Sequence, residues 1–158
     1  MAAALLRDLA DMAVSNALCE PGAMDLLGTP IDLGRVGCDA YVVAGVADHI
    51  TPWENCYATT QLLGGATRFV LSSAGHVAAL VNPPGNPKAR YRTAPAGANP
   101  PSAHDWAEAA EERAGSWWAD WAAWLGERSG AERPAPRRLG GRGFDVVGPA
   151  PGAYVLAS

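Results

Sequence analysis

The sequence predicts an α/β fold built on a parallel sheet. Two short apolar runs, 40–46 (AYVVAGV) and 67–72 (TRFVLS), have the length and β-branched content of strands covered on both faces. A helix-start signal, 51–54 (TPWE), lies between them, and a helix-end signal, 64–65 (GG), precedes the second run. Strand, helix and strand within about thirty residues form a βαβ unit, whose strands run parallel in one sheet. Because one unit supplies few strands, we expect an incomplete sheet.

An amphipathic helix is predicted before the first run. Residues 2–18 place Leu5, Leu9 and Met12 at helical spacing, with charged residues between them. The sequence Glu-Pro-Gly at 20–22 should end this helix, and a loop containing glycine and proline should follow.

The helix between the two runs has a predicted cap. Thr51 should be the N-cap, Pro52 the first helical residue, and Glu54 the residue that closes a capping box. Such a cap contributes about 1 kcal/mol to stability.

The composition changes after the prolines at 83–84, and we expect two parts: residues 1–93, belonging to the sheet-based core, and residues 94–158, a helical and Pro/Gly-rich extension. Within the extension, 94–102 should be a surface loop and 105–113 a helix.

A second helix of the extension should begin at Ser116. It places Trp117, Trp121 and Trp124 on one face, a pattern typical of core or interface packing. The tail from Arg133 should be extended, because it is rich in proline and glycine and has no periodicity.

Composition excludes several classes of protein. The net charge is -4 and the pI about 5.3, without the basic clusters of a nucleic-acid-binding protein. The three cysteines, Cys19, Cys38 and Cys56, are an odd number without CxxC spacing, which indicates reduced thiols and neither a disulfide framework nor a zinc site. No signal peptide or membrane-length apolar run is present. We expect a cytoplasmic protein without a metal or cofactor.

Two side chains with acid–base chemistry follow the two predicted strands. Asp48 comes just after the first strand and His76 closes the loop after the second. Because the carboxyl ends of parallel strands meet at one edge of a sheet, both side chains should emerge there. In α/β-hydrolases the catalytic acid and histidine occupy such successive loops, and the nucleophile precedes them. The carboxylate would fix the imidazole tautomer, and the imidazole would act as a base.

A nucleophile at the expected place is missing from the sequence. No cysteine or serine has glycines two positions before and after it at a strand-to-helix turn, as a nucleophile elbow requires. The chain therefore contains two of the three groups of a triad.

The sequence leaves alternative roles open for these residues. Asp48 and His76 could be structural, or could join His49 in a zinc or iron site, although no helical HxxxH spacing supports a metal. Lys88 and Arg90 could contact a phosphate, but two basic residues in a loop are usually solvated.

Several segments together resemble the polyhydroxyalkanoate synthases, and their motifs are most similar to those of the medium-chain type. The resemblance runs essentially from end to end. The motifs that carry it are 41–53 (YVVAGVADHITPW), 62–65 (LLGG), 68–72 (RFVLS), 75–76 (GH), 82–88 (NPPGNPK), 115–118 (GSWW), 121–128 (WAAWLGER) and 150–155 (APGAYV).

The resemblance implies the C-terminal portion of an α/β-hydrolase fold. Such enzymes polymerise (R)-3-hydroxyacyl-CoA into polyester at the granule surface and release CoA, with a cysteine that carries the growing chain. It implies that His76 is the base for the cysteine or for the incoming hydroxyl group. Asp48 would orient His76 or help to activate the hydroxyl group, and His49 would be a supporting residue of the pocket.

The chain departs from this family in lacking the cysteine box and the earlier strands. We therefore expect a C-terminal fragment, inactive alone, whose first strand exposes an unpaired edge and whose partner is the N-terminal part or a second synthase subunit. Alternatives are a noncatalytic granule- or synthase-binding remnant that uses Trp117 and Trp121, or part of an esterase or depolymerase of the same fold.

Overall fold

The computed structural model describes residues 2–138 and 140–157, and the chain forms two compact units. The first unit ends at Leu125 and the second begins at Gly126. The boundary that the sequence predicts between residues 93 and 94 falls within the first unit and stays a prediction. Within the described ranges, no helix has both the length and the apolar character that crossing a bilayer requires.

The first unit begins with a helix and a small hairpin. The predicted helix is confirmed as α1 (Ala3–Ser15), although it ends at Ser15, before the predicted end at residue 18, and none of its residues is buried. In the predicted loop, the two-residue strands β1 (Asp25–Leu26) and β2 (Thr29–Pro30) pair antiparallel. The two residues between them, Leu27 and Gly28, both have positive φ, as in the tight turns that connect hairpin strands.

The predicted βαβ unit is confirmed. Strand β3 (Ala40–Gly45) leads into helix α2 (Trp53–Leu62) and then into strand β4 (Thr67–Ser72). The two strands run parallel, with Ala40 opposite Thr67 and Gly45 opposite Ser72. The carboxyl ends of both strands therefore lie side by side.

The predicted cap of α2 is wrong. The N-cap residue is Pro52, without a side-chain hydrogen bond, and the helix begins at Trp53. Thr51 lies in a turn that the Asp48 side chain closes, because its backbone N–H donates to Asp48 Oδ1. That turn displaces the helix start beyond Thr51.

The sheet has two strands that the sequence does not predict. After helix α3 (His76–Leu80), strand β5 (Arg90–Thr93), helix α4 (Ala103–Ala109) and strand β6 (Glu111–Ala114) follow. The sheet order is β3-β4-β5-β6, and the last two strands are antiparallel to their neighbours, so the sheet is mixed. The expectation of a parallel sheet holds for β3 and β4 alone. The prediction of a helix over 105–113 is wrong beyond Ala109, where pairing with β5 draws the chain into an edge strand.

The core occupies both faces of this sheet. Helices α2 and α4 cover one face, and α5 (Trp118–Gly126) lies on the other. The first cluster contains Ala44, Tyr57, Phe69, Leu71 and Trp106, and the second contains Val70, Tyr91 and Trp117.

The predicted packing role of the tryptophan stripe is confirmed. The rings of Trp117 and Trp124 lie 6.0 and 5.5 Å from the Tyr41 ring, and Trp117 is 8% exposed. The described residues of the second unit, 126–138 and 140–157, have little regular structure, as predicted for the tail. They include a bridge between Gly141 and Phe144 and a 3-10 turn at Ala153–Leu156.

Candidate active site

The loops that follow β3 and β4 are joined to each other by backbone hydrogen bonds. Val46 N–H donates to Ser72 O at 2.9 Å, and Ala47 N–H donates to Ala74 O at 3.3 Å. Gly45 makes this approach possible, since a Cβ at that position would lie 2.5 Å from Ala74 O. The two loops therefore form one edge that carries the side chains of Asp48 and His76.

The Asp48 carboxylate uses its two oxygens for two tasks. Oδ1 accepts hydrogen bonds from the backbone N–H groups of Ile50 (2.9 Å) and Thr51 (3.0 Å), which fixes its own loop. Oδ2 lies 2.8 Å from His76 Nδ1. The Asp48 side chain is 9% exposed. The pKa of Asp48 is lowered from 3.8 to about 2. The hydrogen bond from the Thr51 N–H contributes most to this, and His76 and the Ile50 N–H lower the pKa further, whereas desolvation opposes the shift. Asp48 is therefore an anion at neutral pH.

The imidazole of His76 is oriented by this anion. Since a carboxylate accepts hydrogen bonds and cannot donate them, the 2.8 Å contact places the proton of the neutral ring on Nδ1. Nε2 is then unprotonated, and within residues 2–138 and 140–157 it has no hydrogen-bond partner. The ring is 43% exposed, so Nε2 is accessible to a reacting group. This is the arrangement of acid and base in a nucleophilic triad.

A cleft of about 160 Å³ lies beside this pair. Besides Asp48 and His76, its lining consists mainly of small and apolar side chains: Val43, Ala44, Gly45, Thr51, Cys56, Ala79 and Leu80. Such surroundings strengthen electrostatic interactions within the cleft, because little of the wall is polar.

Cys56 lines the cleft but is not prepared for nucleophilic attack. Burial raises the pKa of the Cys56 thiol, and the negative charge of Asp48 raises it further. A catalytic cysteine has the opposite property, a lowered pKa that favours the thiolate. Cys19 is half-buried, with its thiol donating to Asn16 Oδ1, and Cys38 is exposed.

The remaining candidates of the sequence lie outside this arrangement. His49 is exposed in the loop after β3, and its supporting role stays a prediction. The part of the chain that the structure describes has no group of three or more His, Cys, Asp or Glu residues able to hold a metal ion. Arg90 lies in β5, where Nη1 donates to the carbonyl oxygens of Pro87 and Ala89, and Lys88 is exposed.

Two tryptophans contact the helix that begins at His76, which sequence reasoning does not reveal. Trp117 Nε1 donates to Ala79 O at 2.7 Å, and Trp118 Nε1 donates to Leu80 O at 3.0 Å. The acceptors are backbone carbonyls that lie 38 residues earlier in each case. No side-chain pattern in the sequence could indicate such a pairing.

Comparison with known proteins gives consistent matches along the whole chain. The chain is 49% identical over 153 residues to poly(3-hydroxyalkanoate) polymerase 1 of Ectopseudomonas oleovorans, covering 97% of this chain and 27% of that protein. It is 46% identical to polymerase 2 of the same organism, covering 98% of this chain and 27% of that protein. A polymerase subunit of Cupriavidus necator is 41% identical over 91% of this chain and 24% of its own length. The chain thus spans about a quarter of the relatives it matches, and no family model matches it.

Proposed function

This chain belongs to the poly(3-hydroxyalkanoate) polymerase family and corresponds to the C-terminal part of its members, and from that premise we propose that it supplies the acid and the base of a polyester-forming active site. The observation that carries the proposal is the 2.8 Å contact between Asp48 Oδ2 and His76 Nδ1, at the ends of adjacent parallel strands. Asp48 is the orienting acid and His76 the base.

The chemistry of the pair suits a thiol nucleophile. His76 Nε2 accepts the proton of a cysteine thiol, and the thiolate attacks the carbonyl carbon of a (R)-3-hydroxyacyl-CoA thioester. The protonated His76 then returns the proton to the departing CoA sulfur. Asp48 stabilises the imidazolium that exists between these two transfers. In the next step the same base removes the proton from the 3-hydroxyl group that extends the polyester.

The cysteine itself comes from outside this chain. Of the three cysteines, Cys56 is in the cleft, and its raised pKa makes it a poor nucleophile. The matched relatives are about four times as long as this chain, so they contain ample sequence for a nucleophile elbow. We propose that a polypeptide equivalent to that remaining part completes the site.

The open edge of β3 supports the same assembly and the assignment to the α/β-hydrolase fold. Strand β3 pairs with β4 on one side, and within residues 2–138 and 140–157 it has no strand on the other. In an α/β-hydrolase the strand that bears the nucleophile precedes the acid and the histidine in the same sheet. A further parallel strand beside β3 would bring a nucleophile to the edge where His76 Nε2 is exposed.

The proposed setting follows from the same family. The substrate is a (R)-3-hydroxyacyl-CoA and the product a polyester granule, at whose surface the assembled enzyme works in the cytoplasm. The names of the relatives, polymerases of poly(3-hydroxyalkanoate), support this substrate class. Association with a second polymerase subunit is part of the proposal.

The test combines this chain with a polypeptide that contains the remaining N-terminal three-quarters of a matched polymerase. CoA release from 3-hydroxybutyryl-CoA and 3-hydroxyoctanoyl-CoA is followed with a thiol reagent. We expect release from the mixture and none from this chain alone. His76→Gln should lower the rate by about a thousandfold or more, as for other triad histidines.

The matched control is His104→Gln, because the His104 ring packs edge-to-face against Trp53, with 5.6 Å between the ring centroids, and has no recorded contact with Asp48 or His76. His49→Gln tests the predicted supporting role of the neighbouring histidine. A mixture that releases CoA at the same rate with His76→Gln would refute the assignment of His76. A product that consists of free 3-hydroxy acid in place of polymer would favour the esterase alternative.

The alternative function, a noncatalytic remnant that binds granules or a synthase, loses one of the two tryptophans on which it depends. Trp117 is 8% exposed and packs against Tyr41, so it is not available at the surface, whereas Trp121 is 41% exposed. A granule-binding surface of this chain would therefore have to use Trp121 together with other exposed residues.

A further inference from the structure

The helix that carries His76 is too short to hold its position by itself. Helix α3 has five residues, and a helix of that length is not stable in isolation. Ala79 is its buried residue, at 2% exposure, whereas Val77 and Leu80 are 66% and 55% exposed. Its orientation relative to Asp48 therefore depends on contacts made from elsewhere in the chain.

The first residue of α5 and the two residues before it, Ser116 and Trp117, supply such contacts to the C-terminal end of α3. Trp117 Nε1 donates to Ala79 O at 2.7 Å, and Trp118 Nε1 donates to Leu80 O at 3.0 Å. Ser116 Oγ donates to Asn82 O. Three consecutive side chains thus bind two carbonyl groups at the end of α3 and a third two residues beyond it, a region where a helix runs out of its own N–H partners.

This segment is in turn fixed to the sheet. Asp120, two residues after Trp118, accepts hydrogen bonds from Tyr41 of β3 and Arg68 of β4. The Trp117 ring lies 6.0 Å from the Tyr41 ring. The indoles therefore transmit the position of β3 and β4 to the far end of α3, while the loop after β4 holds the near end.

We propose that Trp117 and Trp118 are positioning residues, whose indole N–H groups hold α3 so that the His76 imidazole stays aligned with Asp48. The inference builds on the proposed function, since alignment matters because His76 is the base. A catalytic constellation tolerates displacements of about 0.5 Å, and a misplacement of about 1 Å can cost a hundredfold in rate. The two hydrogen bonds therefore influence the rate through the position of the His76 imidazole, and they do not contact the substrate.

The test replaces each tryptophan by phenylalanine, which keeps an aromatic ring and removes the N–H donor. In the full chain, side-chain ¹⁵N NMR of His76 at alkaline pH reports which ring nitrogen carries the proton. We expect the unaltered chain to hold the proton on Nδ1. Trp118→Phe and Trp117→Phe should transfer a measurable share to Nε2, as contact with Asp48 loosens. The Val81 amide, which donates to Val77 O, should exchange its hydrogen about fivefold faster in each variant, the effect of losing one hydrogen bond.

Trp121→Phe is the matched control, because Trp121 lies on α5 with Trp118, is 41% exposed, and has no recorded hydrogen bond from its indole to α3. It should change neither the tautomer nor the exchange. Trp117 is buried, so Trp118→Phe decides the question if Trp117→Phe does not fold. A folded Trp118→Phe with the tautomer and the Val81 exchange of the unaltered chain overturns the proposal.

The polymerase assay separates this inference from the proposed function. In the assembled enzyme, Trp118→Phe should lower kcat about tenfold with KM unchanged, and should add nothing to His76→Gln. If His76→Gln leaves CoA release intact, the proposed function fails, while the NMR result still decides whether the indoles orient the imidazole.

Discussion

Arg68 of β4 and Asp120 of α5 form a two-bond ion pair across one face of the sheet. Arg68 Nε donates to Asp120 Oδ2 at 2.8 Å and Nη2 donates to Oδ1 at 2.5 Å, with side-chain exposures of 18% and 9%. Oδ2 also accepts the Tyr41 hydroxyl at 2.8 Å, and burial together with Asp120 raises the pKa of Tyr41. Replacing the carboxylate by an amide would leave Arg68 and Tyr41 with one neutral acceptor oxygen and would place an NH₂ donor where the second charged oxygen was.

We therefore expect Asp120→Asn to lower the free energy of unfolding by about 2 kcal/mol, the scale of hydrogen bonds to a charged group. Urea unfolding followed by tryptophan fluorescence measures it. Glu111→Gln is the control, since that carboxylate is 65% exposed and pairs with Arg113 at the surface, where ion pairs contribute little. Equal losses in the two variants would contradict the central role of Asp120.

The stability contributed by Asp48 should depend on pH. Its pKa in the folded chain, about 2, is below the ordinary 3.8, so the unfolded chain binds the proton more tightly. The contribution is therefore complete above pH about 4 and declines as the pH falls toward about 2. Urea unfolding of the unaltered chain and of Asp48→Asn at several pH values should give a difference that shrinks in this window. Asp8→Asn, an exposed carboxylate of α1, controls for loss of one charge. A difference that is constant from pH 6 to pH 2 would count against the lowered pKa.

The reactivity of Cys56 should respond to the charge of Asp48. Burial is the larger cause of its raised pKa and the Asp48 charge the next, so Asp48→Asn should lower the pKa in part. Alkylation by iodoacetamide near pH 8 should then be faster at Cys56, as quantified by peptide mass spectrometry. The exposed Cys38 provides an internal control in the same samples. If Asp48→Asn merely opened the cleft, the rate would rise at every pH without a shift of its midpoint.

The free edge of β3 should cause self-association of the isolated chain. Ala40 N–H donates to Ala66 O and Val46 N–H to Ser72 O, both toward β4, so by alternation the N–H groups of Tyr41 and Val43 face the open edge. Sedimentation velocity over a range of concentrations should show growing oligomers.

Val43→Pro should reduce this association, because proline removes an edge N–H without removing a bond to β4. Val43→Ala controls for the lost side chain and should associate like the unaltered chain. Monomers at all concentrations in the unaltered chain would show that the edge does not recruit a second strand.

Periodicity and position at strand ends were sufficient to predict β3, α2, β4 and the pairing of Asp48 with His76. Those features depend on neighbours close in sequence and on the parallel geometry of one βαβ unit. Strands β5 and β6 could not be predicted in the same way. The sequence of β6, Glu-Glu-Arg-Ala, contains good helix formers, and pairing with β5 overrides that preference. The start of α2 was mispredicted because the Asp48 side chain, and not Thr51, binds the nearby backbone N–H groups.

Gly64 and Gly65 lie between α2 and β4. Each packs against the backbone of the residues that precede β3, with no space for a side chain. A Cβ at Gly64 would lie 2.1 Å from Gly34 O, and a Cβ at Gly65 would lie 2.1 Å from Cys38 O. Gly64 N–H and Gly65 N–H both donate to Val36 O at 3.1 Å. Any replacement of either glycine would place at least a Cβ atom in space that main-chain atoms already occupy. In a saturation mutational scan, positions 64 and 65 should tolerate no replacement, alanine included, although both lie far from any reacting atom.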